Sequence, residues 1–248
     1  MNEVEQALIA FSKQEISAIA AVRAMAEGTE WYVPASFMVN KFQTTVADHA
    51  VIVSTEFPSN PRNLTIFSDR AAANRAEGRP YGVLSGSFSG AAIFSALNEA
   101  EYDVVDVNPG SPRELTFYME KSTFDMLHLI AQTVKLEQAL LRCSDTYVPF
   151  AEIKAHPAFI LAINEDRTLF TLNLTNPPGV HAVLFTSPDR VELFNKAAGT
   201  QLKTTGFDGA ALFSQLANFD IQGVIINNGS PKYFVLPKSY FPHIVAAG

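Results

Sequence analysis

Apolar and polar residues recur along this chain at two periods, and the change of period marks out its elements. Residues 1–28 are alanine-rich, free of proline and closed by Gly28, which predicts helix. Ser12-Lys13-Gln14-Glu15 has capping-box spacing, so the stretch is open to reading as two helices in place of one. Trp31-Tyr32-Val33-Pro34 opens a β segment. Short apolar runs at 46–57 and 64–67 follow as strands, separated by the loop Pro58-Ser59-Asn60-Pro61. Ser68 or Asp69 caps the helix that begins around Arg70. Beyond it, 81–84 reads as strand, 89–97 as short helix, 103–107 as buried strand and 115–119 as a closing strand. Asn108-Pro109-Gly110 suits a type II turn, because proline pre-sets φ at the first central position and glycine accepts positive φ at the second.

The same order then returns. Phe88-Ser89-Gly90-Ala91-Ala92-Ile93-Phe94-Ser95-Ala96-Leu97 recurs as Phe207-Asp208-Gly209-Ala210-Ala211-Leu212-Phe213-Ser214-Gln215-Leu216. Asn108-Pro109-Gly110-Ser111-Pro112 recurs as Asn227-Asn228-Gly229-Ser230-Pro231 at the same offset of 119 residues. One offset for two separated matches marks two copies of one structural unit. Tyr147-Val148-Pro149 is matched to Tyr32-Val33-Pro34, Ala182-Val183-Leu184-Phe185 to Leu64-Thr65-Ile66-Phe67, and Asp189-Arg190 to Asp69-Arg70. Strands at 159–163, 169–174, 224–226 and 233–236 complete the second copy, with Pro177-Pro178-Gly179 as a break. Helices interleaved with strands, some of them in hairpins, predict an α+β (mixed α/β) fold. Its parts are two tandem mixed-sheet units with flanking helices, 1–123 and 124–248.

The joint carries its own pattern. Between Phe124 and Arg142, Asp125, His128, Gln132, Lys135, Gln138 and Arg142 fall on one narrow polar stripe, and most of the remaining circumference is apolar. A helix so patterned predicts packing against both units, hence a rigid pair.

Composition narrows the classes. With 48% hydrophobic and 17% charged residues the chain fills a core. Residues 1–124 hold nine Lys/Arg against fifteen Asp/Glu, and residues 125–248 hold nine against ten. That acidic first half disfavours nucleic acid as a partner. No apolar run reaches the ~18 residues of a membrane span. An acidic start, Met1-Asn2-Glu3-Val4-Glu5, lacks the positive charge of a targeting peptide, so a cytoplasmic location is expected. A single cysteine, Cys143, excludes an intrachain disulfide.

Each chemical candidate stands beside a plainer account. Gly86-Ser87-Phe88-Ser89-Gly90 resembles a nucleophile elbow, but Phe88 occupies the nucleophile position. Ser89 and its counterpart Asp208 both suit the cap of a helix starting Gly-Ala-Ala, whereas an anion site would be weakened by Asp208. Gly90 and Gly209 then allow close backbone approach. Asp69-Arg70 and Asp189-Arg190 are read as a helix-start aspartate and a surface arginine. Glu99, Glu101, Asp103 and Asp106 lack the EF-hand pattern, and the second copy has Asn218, Asp220, Gln222 and Ile225 there, so they read as a solvated acidic edge. His49, His128, His156, His181 and His243 show no metal spacing. Arg142 could lower the pKa of Cys143, although a lone thiol ending an apolar helix is more often a packing residue. No catalytic, cofactor-binding or metal residue is assigned, and no cofactor is expected.

Trp31-Tyr32-Val33-Pro34, Leu64-Thr65-Ile66-Phe67-Ser68-Asp69, Ile93-Phe94-Ser95-Ala96-Leu97 and Val105-Asp106-Val107-Asn108-Pro109-Gly110, in that order, resemble the N-terminal domain of the SseB family, named for an enhanced serine sensitivity phenotype in bacteria. The resemblance covers most of residues 1–124 and, through the repeat, most of the second half. In that family the second half is usually a different domain, whereas here it looks like a copy of the first. The resemblance carries over no catalytic residue. The expectation is a non-enzymatic bacterial cytoplasmic protein that binds another protein or itself. The alternative is an enzyme, or a binder of a small molecule such as an amino acid, with its site between the repeats.

Overall fold

The computed structural model describes residues 1–34, 50–52, 62–75, 83–97, 102–144, 147–230 and 233–247. The expected loop at 58–61, most of the strand at 46–57, His49, Glu99 and Glu101 lie outside them. The fold is α+β, and it divides into two compact units, unit 1 at Met1–Val134 and unit 2 at Lys135–Gly248.

Unit 1 opens with two helices, α1 (Glu3–Ser12) and α2 (Ala18–Glu27). Their caps are Asn2, which accepts from Glu5 N–H, and Ser17, which accepts from Ala20 N–H. Ser12 is not a cap. It ends α1, its hydroxyl donating to the Ile9 carbonyl, because the chain turns through Gln14 at φ 62° before it can restart. Strands β1 (Trp31–Pro34), β2 (Ala50–Ile52) and β4 (Val83–Phe88) form one antiparallel sheet in the order β1-β4-β2. Strand β3 (Asn63–Ile66) pairs in parallel with β5 (Val104–Val107), which pairs antiparallel with β6 (Phe117–Glu120). Tyr32 and Phe67 exchange backbone hydrogen bonds of 2.9 Å and bridge β1 to the end of β3. Short helices α3 (Arg70–Arg75) and α4 (Gly90–Ser95) intervene. The core gathers Met25, Trp31, Leu64, Ile66, Phe94 and Val105.

Helix α5 (Phe124–Leu140) places Phe124, Leu127, Ala131 and Val134 in the core of unit 1. Leu136 and Leu140 belong to the core of unit 2. Asp125, Gln132, Lys135 and Arg142 of the polar stripe are exposed. His128 is half-buried, its Nε2 lying 3.1 Å from the Leu97 carbonyl.

Unit 2 contains α6 (Phe150–Ala155), β7 (Phe159–Ile163), β8 (Thr171–Thr175), β9 (Pro178–Phe185), α7 (Pro188–Ala198), β10 (Lys203–Phe207), α8 (Gly209–Leu216), β11 (Gly223–Ile226), β12 (Phe234–Pro237) and α9 (Phe241–Ala246). Its sheet runs β10-β7-β9-β11-β12, with β8 in a hairpin on β9. The expected break at Pro177-Pro178-Gly179 overlaps the turn of that hairpin, Asn176-Pro177, while Pro178 and Gly179 already pair as the start of β9. Substituting β4, β1, β3, β5 and β6 for these strands reproduces the strand order of unit 1.

Hydrogen bonds repeat along with the strands. Gly90 N–H donates to the Gly28 carbonyl, and Gly209 N–H to the His156 carbonyl, both at 2.8 Å. A Cβ on Gly90 would stand 1.9 Å from the Met25 carbonyl oxygen, and one on Gly209 2.1 Å from that of Ile153. Close helix-to-helix approach therefore requires glycine at both positions. These contacts match α2 to α6 and Trp31, opposite Phe88, to Phe159, opposite Phe207. The expected match of Tyr147-Val148-Pro149 to Tyr32-Val33-Pro34 is thereby corrected. Those residues lead into a helix, and the true counterpart of β1 is β7, whose Phe-Ile-Leu-Ala-Ile shares no letters with Trp-Tyr-Val-Pro. Backbone pairing needs only an apolar β former there.

Candidate functional site

The most elaborate polar chemistry lies at the carboxyl ends of the parallel strands. In unit 1, Asn108 follows β5 with φ 52°, a left-handed conformation that asparagine tolerates. Its Oδ1 accepts from Ser68 N–H at 2.8 Å, and its Nδ2 donates to Ser68 Oγ and to the Leu115 carbonyl. Asn227 repeats this after β11, with φ 59°, accepting from Thr186 N–H at 2.9 Å and donating to Thr186 Oγ1. Both asparagines are buried, and each clamps the end of one parallel strand to the next. Gly110 (φ 84°) and Gly229 (φ 82°) complete the turns.

Unit 2 builds further on this clamp. Glu137, from α5, accepts from Thr186 Oγ1 at 2.5 Å, from Asn227 Nδ2 at 3.3 Å and from Arg190 through both Nε and Nη2. The side chains of Glu137 and Arg190 are only 13% and 19% exposed, so the pair is largely desolvated. His156 is 2% exposed, its ring edge-on to Phe159 and its Nε2 3.3 Å from the Thr186 carbonyl. Burial pushes its pKa down to about 4, against the opposing pulls of that carbonyl and of the Glu137 charge. The imidazole is therefore neutral at pH 7. In unit 1 the matching carbonyl, that of Ser68, accepts instead from Asn2 Nδ2. Glu137, Arg190, Thr186 and Asn227 hold one another and fix the strand ends, while His156 Nδ1 is buried without a hydrogen-bond partner among the described residues.

Sequence reasoning passed over Glu137 and Thr186 and singled out neither His156 nor Asn227. One signal was present. Thr133 and Glu137 are the polar residues of α5 that fall off its stripe, and a carboxylate on the apolar side requires a partner. Thr133 satisfies itself on the Leu129 carbonyl, whereas Glu137 finds Arg190.

The remaining candidates resolve locally. Ser89 and Asp208 are N-caps, accepting from Ala92 and Ala211 N–H. Asp69 caps α3 by accepting from Ala72 N–H at 2.6 Å, but Asp189 and Arg190 sit inside the first turn of α7. The two Asp-Arg pairs are therefore not equivalent. The expectation of a surface arginine fails at Arg190, because Glu137 provides a desolvated partner. Asp103 forms a two-pronged pair with Arg62, whose hydrogen bond holds the carboxyl below its usual range. Cys143 is half-buried. Burial, and then the nearby Glu152, raise its thiol pKa, against any lowering by Arg142, and it packs on the core of unit 2 as favoured from the sequence. His181 is buried with Nδ1 2.9 Å from the Gly179 carbonyl, and His243 packs against Phe150 and Tyr240. Among the described residues no group of three or more His, Cys, Asp or Glu could hold a metal ion, and no helix is long and apolar enough to cross a membrane.

A groove of about 990 Å³ lies open within unit 2. Its floor is Leu161 and Ile163 of β7 with Phe207 of β10, and one wall is Leu216, Phe219 and Ile221 at and beyond the end of α8. Phe219 is 46% exposed. Arg167 and Asp220 are the charged residues among those lining it. No sequence candidate lies in this groove except Asp220, because its parts come from five separate stretches.

No family model matches the chain, and neither does any curated protein. A solved structure described as Anabaena Tic22 (protein transport) is similar at 11% identity, over 83% of this chain and 88% of that one. Its TM-score of 0.20 is too low to bear on fold or function.

Proposed function

We propose that the chain is a non-enzymatic bacterial cytoplasmic protein of the SseB-like kind that binds another protein in the groove of unit 2. The observation that carries this reading is the groove itself. Nine of its sixteen lining residues are apolar and only Arg167 and Asp220 are charged, which suits a protein segment better than a reacting polar substrate. The buried Glu137–Arg190 pair supports the same reading, since its groups are spent on Thr186 and Asn227 at the strand ends. The test is cross-linking of tagged wild-type protein and of Phe219→Asp in the native cell, with circular dichroism and melting confirming that the variant folds. A partner recovered by the wild type and lost with Phe219→Asp is expected. Recovery that ignores Phe219, or saturable binding of a metabolite in the same groove, would overturn the reading.

A further inference from the structure

The two units differ in what lies along one sheet edge. Strands β4 and β10 correspond, each pairing with the first strand of its unit. In unit 1 the far side of β4 is covered by β2, antiparallel, with Ala50 opposite Ser85, Val51 opposite Leu84 and Ile52 opposite Val83. In unit 2 the chain between the first strand and β9 instead folds into the β8–β9 hairpin. Strand β10 is thus the end of its sheet, with no strand on its outer side among the described residues. Lys203, Thr204 and Gly206 are exposed. An open row of N–H and C=O groups on such an edge is a template for another strand.

We propose that β10 receives an extended, acidic segment of a partner protein as an added antiparallel strand, in the place that β2 fills in unit 1. The inference rests on the protein-binding reading and says how the partner is held. Three observations choose the occupant. First, unit 1 shows which geometry this edge accepts. Second, Thr204, Thr205 and Phe207 of β10 also line the groove, so a strand added there continues directly into it. Main-chain pairing would supply affinity and the apolar groove would select side chains.

Third, charge specifies the partner. The bulge that shifts the register between Trp31 and Val33 leaves Val33 opposite Ser85 and Pro34 opposite Leu84. Leu161 faces Thr205 and Ala162 faces Thr204. Val83 therefore stands where Lys203 does, and the residue of the added strand that replaces Ile52 meets Lys203. A carboxylate there forms an opposite-charge cross-strand pair. Arg167, also lining the groove, adds a second cation, against the one carboxylate there, Asp220. A lysine on the edge also discourages pairing with a second copy of this chain.

The probe is a capped peptide of residues 47–54 of this chain carrying Ile52→Glu, added to the full-length protein. Amide exchange at 203–207 is expected to slow at least several-fold on binding. The peptide with Ile52→Lys should bind about five-fold more weakly, and Lys203→Glu in the protein should reverse that preference. Of two peptides N-methylated at alternate amides, the one whose inward amides are blocked should not bind. Absence of binding at about millimolar peptide, or indifference to the charge swap, overturns the proposal. Protection confined to α8 and 219–221 also overturns it while leaving the groove reading intact, which Phe219→Asp tests separately. Slowed exchange at 203–207 that rises with protein concentration, without peptide, would assign the edge to a second copy instead.

Discussion

Units 1 and 2 agree where the backbone must be held and differ where it need not be. Both clamp parallel strand ends with a left-handed asparagine, both pass a glycine N–H to a carbonyl at the end of α2 or α6, and both cap the helix that the glycine opens with a short polar side chain. Around these shared points unit 2 exchanges Asn2 for His156 and adds Glu137 with Arg190. It also turns the strand that could have covered β10 into a hairpin on β9. The lesson is that the inter-strand segment is free to be redeployed, since no shared hydrogen bond depends on it. Loops and edges held by a rigid frame are where binding develops.

The contrast between the units can be broken most severely at Glu137. Glu137→Ala strands a mostly buried arginine and removes the acceptor for Thr186 and Asn227, so a loss of about 4 kcal/mol is expected in denaturant titration. The equivalent asparagine clamp of unit 1 should keep its hydrogen-exchange protection. A variant as stable as the wild type would show the ion pair to be decorative.

Gly90→Ala and Gly209→Ala probe what is shared. Each added methyl meets a backbone carbonyl oxygen, and each should cost about 3 kcal/mol. A tolerated substitution in one unit alone would deny that the two approaches are alike.

A titration separates the units by sign. His156 has a folded-state pKa of about 4, below the ordinary value of 6.5. As pH falls, the unfolded chain takes up the proton first. Stability present above pH 6.5 is therefore lost down to pH 4, by about 3 kcal/mol. His156→Gln should flatten this part of the stability profile. Asn2, which meets the matching carbonyl in unit 1, does not titrate. An unchanged profile in His156→Gln would dismiss the role given to burial.

The smallest test concerns the caps. Ser89→Ala and Asp208→Ala should each cost about 1 kcal/mol, with Asp208 no less costly because its charge also meets the helix dipole. Calorimetry of the two variants would reveal a difference in the other direction.

Much of the scaffold could be read in advance. The capped helices at Ser89 and Asp208, the turn with Pro109 and Gly110 at its centre, and the buried strands ending in Val107 and Ile226 rest on local rules and on the repeat. The match of Tyr147 to Tyr32 failed because letters repeated where structure did not; the strand at 159–163 was legible, but its equivalence to β1 came only from its partners. The spacing at Ser12 to Glu15 pointed to two helices, and two form, but the second is capped by Ser17 and not by Ser12. Of the candidate groove, only Asp220 had drawn notice for its chemistry, and Phe207, Leu212, Gln215 and Leu216 only as letters of the repeat. Leu161, Phe207 and Phe219 look like ordinary core residues until their neighbours are known.

From its letters alone the chain settled its α+β class, its doubled pattern, its caps and its turns, because these depend on contacts a few residues apart and on periodicity. Tertiary structure alone decided that Glu137 meets Arg190, that His156 is buried against Thr186, and that among the described residues β10 ends its sheet while β4 does not. Those outcomes depend on which distant segments share an edge or a pocket, and no local preference distinguishes a strand that turns back on β9 from one that crosses to β10.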